Sequence, residues 1–344
     1  MSPGKEQTIL DIARRAGVSI ATISRAINPD TRHKVADETL DRIDQVVERF
    51  GYTPNLAARH MRSTQFKTIG LLIPHIENVF LSDYYAKVFS GFSNALMHSD
   101  YRFKIVALRP YVRKWDKYPF RTAEGIDGLV VDYWPTFFTK KFDVDLPCVI
   151  ITDPDPDVKA HFVSADNVAG GEMAARLLYD HGHERIAILR GHTWSTDSDL
   201  RIKGFRRFMS KVGTAVPQEM IFTADYEEDR AAKVVERLFL EHKNITAIFC
   251  CNDNMAYGAI KKMKQLGMRC PEDVSVIGFD DESRAASSDP PLTTVRVHTQ
   301  ELGRMGAEKM VDFLRGKINK QDFYGQETTL PVSLVERKSV GRVR

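Results

Sequence analysis

The chain has 344 residues, 43% of them hydrophobic, which is enough for two or three domains with a sizeable core. A net charge of only +3 does not mark the whole chain as a nucleic-acid binder, so any such surface has to be local. The start MSPGKEQTIL carries no apolar signal region, and no apolar run approaches the roughly 18 residues of a membrane span, so a cytoplasmic protein without membrane contact is expected.

The stretch from Thr8 to Asn28 reads as two short helices around a tight turn. Thr8 followed by Asp11 opens the first, because the hydroxyl takes an orphan backbone N–H while the carboxylate sits at the positive end of the dipole. Gly17 supplies the turn, Val18 plugs the angle between the helices, and Ser19 caps a second helix over residues 20–27. Ile9, Ile12, Ala13, Ala16, Ile23 and Ile27 close over a small core shared with a third helix. Ile20, Ala21, Thr22, Ser24 and Arg25 are left outward. This is the pattern of a helix-turn-helix whose second helix offers hydroxyls to phosphates and an Arg fork to guanine. Arg14, Arg15, Arg25, Arg32 and Lys34 form the local basic set.

Asn28-Pro29-Asp30 breaks the second helix, and residues 36–50 resume helical spacing until Gly51. Thr53 to Ser63 is a Pro-started stretch too short for a stable isolated helix. From Thr68 onward, strands and helices alternate. The strands are TIGLLI, FKIVAL, IDGLVVD and CVIIT, then RIAILR, a run near Met220 to Thr223, TAIFCC and VSVIGF. Continuous apolar runs between helical stretches predict parallel sheets covered on both faces, arranged as two doubly wound lobes. The four cysteines show no metal-ligand spacing and read as buried thiols. No phosphate loop, dinucleotide fingerprint, nucleophile elbow or zinc-protease motif is present, so neither enzyme chemistry nor a cofactor or metal is expected.

The helix-turn-helix resembles that of the lactose/galactose repressor family of bacterial transcription regulators. The residues that carry the resemblance are Asp11, Ile12, Ala13, Ala16, Gly17, Val18, Ser19, Thr22, Ser24, Arg25 and Asn28, at unbroken spacing. It continues through SADNVAGG, GHERIAIL, RIKGF, CNDNMAYGAI, PEDVSVIGFDD and PPLTTV in the second half. The implied fold is α/β, an N-terminal all-α helix-turn-helix head followed by a two-lobed, periplasmic-binding-protein-like body with doubly wound parallel sheets. The implied boundaries are 1–52 for the head, 53–66 for a hinge helix or linker, and 67–344 for the effector and dimerisation domain. Within the last, lobe 1 takes about 67–165 and 296–323, and lobe 2 about 166–295 and 324–340. The resemblance further implies a homodimer on near-palindromic operator DNA, touching it through Thr8, Ser19, Ile20, Ala21, Thr22, Ser24, Arg25 and Asn28. In the hinge it implies Asn55, Ala58, Arg59 and Met61, the last as a wedge in the minor groove. No heptad tail follows LPVSLVERKS, so a dimer is expected rather than a tetramer.

In a two-lobed α/β body the ligand lies at the carboxyl ends of the strands. Arg201 after RIAILR, Asn252 closing TAIFCC and Asp280 closing VSVIGF combine a fork donor, an amide and a carboxylate, a set that can satisfy vicinal hydroxyls or a ring with mixed edges. The resemblance adds Tyr226 as an aromatic platform and Phe80 as the opposite lip. Thr152, at the end of the fourth strand, and Asp197, just ahead of Arg201, complete the expected effector set. A sugar or sugar derivative is the implied effector, with a nucleobase as the alternative. Two rival functions stay open at this stage: a transporter's solute-binding protein, and an enzyme using Asp280, Asp281 and His298.

Overall fold

The computed structural model describes residues 8–27, 29–52, 65–73, 79–107, 118–132, 146–154, 157–242 and 244–343. The chain divides into two compact units, Met1–Phe66 and Lys67–Arg344. In the first, α1 spans Ile9–Ala16, α2 Ile20–Ile27, α3 Pro29–Arg32 and α4 Asp37–Phe50. Thr8 and Asp11 form a reciprocal capping box on α1, and Gly17 ends it in the left-handed conformation that favours glycine. Ile12, Ile23 and Ile43, one from each of three helices, are fully buried together with Ala13, Ala16, Ala26 and Tyr52. Spacing thus becomes packing: residues eleven apart across a glycine turn face one another, and α4 closes the third side.

The second unit holds two six-stranded sheets. The chain runs β1 Thr68–Ile73, α5 Asp83–Met97, β2 Arg102–Ala107, α6 Phe120–Glu124, β3 Gly128–Asp132, β4 Cys148–Ile151 and β5 His161–Ala165. It continues α7 Asn167–Asp180, β6 Ile186–Arg190, α8 Thr196–Lys211, β7 Ile221–Thr223, α9 Glu228–Glu241, β8 Ala247–Cys250, α10 Asp253–Gln265 and β9 Ser275–Asp280. Last come β10 Thr293–Arg296, α11 Thr299–Leu314, β11 Glu327–Leu330 and β12 Ser333–Val335. Sheet order is β11-β5-β4-β3-β1-β2 in the first lobe and β12-β10-β9-β8-β6-β7 in the second. Every described pairing is parallel except β12 against β10, an antiparallel edge.

Two details depart from expectation. The final crossing between lobes falls after Leu330, because β11 pairs with β5 in the first sheet, rather than near residue 323. Strands β5, β10, β11 and β12 carried no apolar-run signal: Glu327-Thr-Thr-Leu alternates at a half-exposed sheet edge, and His161-Phe-Val-Ser-Ala owes its burial to cover from elsewhere. Helices α7 and α8 cross closely. A Cβ on Gly171 would lie 2.0 Å from the Arg201 carbonyl oxygen, and one on Gly204 2.0 Å from that of Val168. This crossing sets the base of Arg201.

Candidate functional site

On the first unit, Ala21, Ser24 and Arg25 stand exposed on α2, with Ser19 exposed at its start. The Ser19 hydroxyl oxygen accepts from the Thr22 amide at 3.1 Å and shares a 2.9 Å hydrogen bond with the Thr22 hydroxyl. Thr8 is likewise exposed at the start of α1. Ile20 is half-buried and packs against the headpiece core, so it is turned inward more than expected. Arg32 also leaves the basic set, since its guanidinium donates to the Ala26 carbonyl at 3.0 Å and pairs with Asp44. Asn28, Asn55, Ala58, Arg59 and Met61 lie outside the described residues.

On the second unit, a cavity of about 420 Å³ opens between the lobes at the carboxyl ends of the strands. Thr152, Asp197, Arg201, Tyr226, Asn252 and Asp280 all line it. Phe80 does not. It sits in a 3-10 turn, Val79–Leu81, that points the preceding Val79 into the cavity and leaves Phe80 57% exposed against the edge of Phe89.

Arg201 is the best-held of the set. Its Nε donates to Asn167 Oδ1 at 2.8 Å, its Nη1 donates to the Cys251 carbonyl at 2.5 Å and lies 3.2 Å from Asp280 Oδ1, and the guanidinium lies 3.9 Å over the Phe279 ring. Burial works against that charge, but Asp280 and its other acidic neighbours hold the guanidinium more firmly protonated than usual. Asp280 shows the reverse balance: burial outweighs Arg201, and the carboxyl rises to about 6. The 3.2 Å contact is an ion pair without hydrogen-bond alignment, since Asp280 Oδ1 accepts no hydrogen bond among the described residues.

Asn252 serves two ends at once, its Oδ1 capping α10 through the Met255 amide at 2.9 Å while its Nδ2 donates to the Tyr226 carbonyl at 3.4 Å. The Tyr226 ring fits only because residue 191 is glycine; a Cβ there would meet the ring at 2.0 Å. Asp225, Tyr226, Asp280 and Asp281 all have positive φ, between 53° and 106°. Four non-glycine residues held so beside one cavity is strain concentrated where a ligand would sit.

The lobes also touch directly. Thr152 Oγ1 of the first donates to Asp197 Oδ1 of the second at 2.9 Å, and Asp83 on α5 accepts from the Ser283 amide and hydroxyl at 2.9 and 2.8 Å.

Residues 8–55 match the model described as "Bacterial regulatory proteins, lacI family", and residues 175–340 match "Periplasmic binding protein-like domain". The chain is 31% identical over 340 residues to the HTH-type transcriptional repressor PurR of Vibrio cholerae, covering 97% of this chain and 98% of that one. The chain belongs to the lacI family of bacterial regulatory proteins. A PurR of Photobacterium profundum is 32% identical over 342 residues, covering 97% of this chain and 98% of that one. Among solved structures, the lac repressor dimer bound to operator and the anti-inducer ONPF superposes with TM-score 0.82 at 22% identity, covering 98% of this chain and all of that one. A CelR-cellobiose complex gives 0.73 at 24% identity, covering 97% and 99%. At those identities the superpositions speak for the fold. This lacI-family chain is a sequence-specific DNA-binding transcription regulator under allosteric small-ligand control, and not an enzyme. The head also sets aside a transporter's solute-binding protein.

Sequence reasoning missed several residues that line the cleft of this lacI-family regulator: Tyr84, Asp132, His192, Trp194 and Glu282. His192 and Trp194 stack with centroids 4.4 Å apart, and His192 Nδ1 lies 3.1 Å from Asp225 Oδ1. The signal available was position: Asp132 closes IDGLVVD, and His192 and Trp194 follow RIAILR, both at carboxyl ends of strands.

Burial raises the Asp132 and Glu282 carboxyls to about 8 each. Because the folded chain keeps protons that the unfolded chain releases above its ordinary carboxylate range, stability from these groups is full below about 4 and is lost progressively until the folded values are passed near 8. Urea unfolding should therefore give a lower free energy at pH 8 than at pH 5, and Asp132→Asn should flatten the difference. An equal slope in the variant would show that Asp132 is not buried in solution.

Proposed function

We propose that two copies of this regulator grip a near-palindromic operator, each laying α2 in a major groove, and that a sugar of one or two rings closes the cleft and changes operator affinity. We assign repression as the mode, and the cytoplasm as the place. The observation that carries the ligand reading is the lining of the cavity, in which Tyr84, Trp194 and Tyr226 offer ring surfaces while Asp132, Asn252 and Arg201 offer the acceptors and donors that hydroxyl groups require. The cellobiose bound by the fold neighbour CelR supports the same class.

A thermal-shift screen against neutral sugars, sugar phosphates and nucleobases tests it. A sugar at a hundred times its Kd should raise the melting point by roughly 5 °C or more. A nucleobase acting where every sugar is silent would replace the carbohydrate reading.

For the DNA-binding face, Arg25→Ala should lower affinity for the selected operator by about 1–3 kcal/mol, ten- to a hundredfold, and relax base preference at one position per half-site. Fluorescence anisotropy on operator and random duplex measures both. Operator affinity unchanged within twofold would reject α2 as the reading helix.

A further inference from the structure

Asp132 stands at the carboxyl end of β3, 2% exposed, and lines the cleft. Its Oδ1 accepts from the Tyr84 hydroxyl at 3.3 Å, while its buried Oδ2 has no hydrogen-bond partner among the described residues. The other carboxyl groups lining the cavity are Asp197, Asp225, Glu227, Asp280 and Glu282. Arg230 answers Asp225 and Glu227, and Arg201 answers Asp280. Asp132, Asp197 and Glu282 have no cation within ion-pair distance among the described residues. The described cations near the cleft are already committed: Arg201 as above, Arg284 to Glu228 at 2.8 Å, and Lys87 to Asp83 at 2.7 Å and to the Asp281 carbonyl at 3.2 Å, while the His192 ring nitrogen is taken up by Asp225. Among the described residues the site therefore carries more carboxyl groups than cations, ring faces at Tyr84, Trp194 and Tyr226, and at Asp132 a buried oxygen with neither a hydrogen bond nor a cation beside it.

We propose that the effector bears a protonated amine, as in an amino sugar, whose nitrogen seats against Asp132. This rests on the carbohydrate reading above and narrows it. An ammonium lets the buried Asp132 ionise against it, a counter-charge that no described cation supplies at ion-pair distance, and aromatic faces attract it further. A phosphorylated sugar is disfavoured, because its dianion finds no uncommitted cation among the described residues and makes the ionisation of Asp132 and Glu282 costlier still. A neutral hydroxyl satisfies Asp132 Oδ2 but brings no counter-charge.

The two kinds of ligand differ in proton balance. In the empty cleft, burial, with Asp197 adding to it and Tyr84 opposing it, keeps Asp132 protonated at neutral pH. An ammonium in contact favours the carboxylate, so the carboxyl proton leaves to solvent as the amine arrives with its own proton retained. Neutral sugars require no such release.

Calorimetry on the full chain tests this with glucosamine, galactosamine and mannosamine, each against its parent hexose, its N-acetyl form and its 6-phosphate, with putrescine as an amine that is not a sugar. We expect one hexosamine to bind at least tenfold tighter than its parent and its N-acetyl form. We also expect a proton released on binding at pH 7, read from two buffers of different ionisation heat, and a ratio falling to about one in Asp132→Asn. The proton count needs no variant and stands if Asp132→Asn fails to fold. Binding of putrescine while every sugar is silent would keep the amine and remove the carbohydrate reading. A parent hexose or a 6-phosphate binding as tightly as the hexosamine, or no response to any amine, overturns the proposal.

Discussion

Arg201→Ala should cost the effector unit about 3–5 kcal/mol and remove ligand binding, the largest effect expected of any single cleft substitution. Arg201 is 6% exposed, and its guanidinium joins three elements at once: Asn167 at the start of α7, the Cys251 carbonyl after β8, and Asp280 at the end of β9. Deleting it strands Asp280 in a buried site with no ion-pair partner among the described residues and leaves the Asn167 and Cys251 oxygens without that donor. Asp280 should then hold its proton to higher pH than its present value of about 6. Adding Asp280→Asn to Arg201→Ala should restore part of the loss, since it removes the stranded charge, and such a double-mutant cycle isolates the pair. Arg201→Lys is no rescue, for one ammonium cannot reproduce a planar fork stacked on Phe279. Urea unfolding and calorimetry measure both effects. A loss below about 1 kcal/mol, with ligand still bound, would mean the three elements meet without needing Arg201.

That residue also shows how far the sequence could be read. Arg201, Asn252 and Asp280 were legible because each follows a continuous apolar run, and in parallel sheets the carboxyl end of such a run points at the cleft. Asp132 closes a run in the same way, but an acid there is equally at home in solvent. Tertiary packing, the Tyr84 hydroxyl of α5 included, makes it buried. Phe80 and Val79 differ by one position in a 3-10 turn, and a single residue of phase decides which side chain faces inward. Asn252 does two jobs, its oxygen capping α10 while the residue still lines the cavity. The headpiece was the most legible part because its order is local, with a capping box and a glycine turn fixing two helices within twenty residues. The short strands of the second unit were the least legible, because their pairing partners lie far along the chain.

Ile23→Ala should abolish operator binding while sparing ligand binding, because it unfolds one unit and not the other. Ile23 is wholly buried with Ile12 and Ile43 in a core whose other buried members are three alanines and Tyr52, with partly buried side chains such as Ile20 and Phe50 packed against it. Removing its three outer carbons should cost about 2–5 kcal/mol, transfer loss plus the cavity that the surrounding helices cannot fill. A domain of this size is held by only about 3–5 kcal/mol in total, so its folded fraction falls steeply. Operator binds the folded form alone, and each further 1.4 kcal/mol of deficit takes about tenfold from the apparent affinity. Ser24→Ala, one residue along but exposed, should change headpiece stability by no more than about 0.5 kcal/mol. Anisotropy on operator DNA, beside calorimetry on the cleft ligand, separates the outcomes. Operator affinity retained within threefold would mean that Ile23 is not the central contact of the headpiece core, and the assignment of the outward face of α2 to DNA would fall with it.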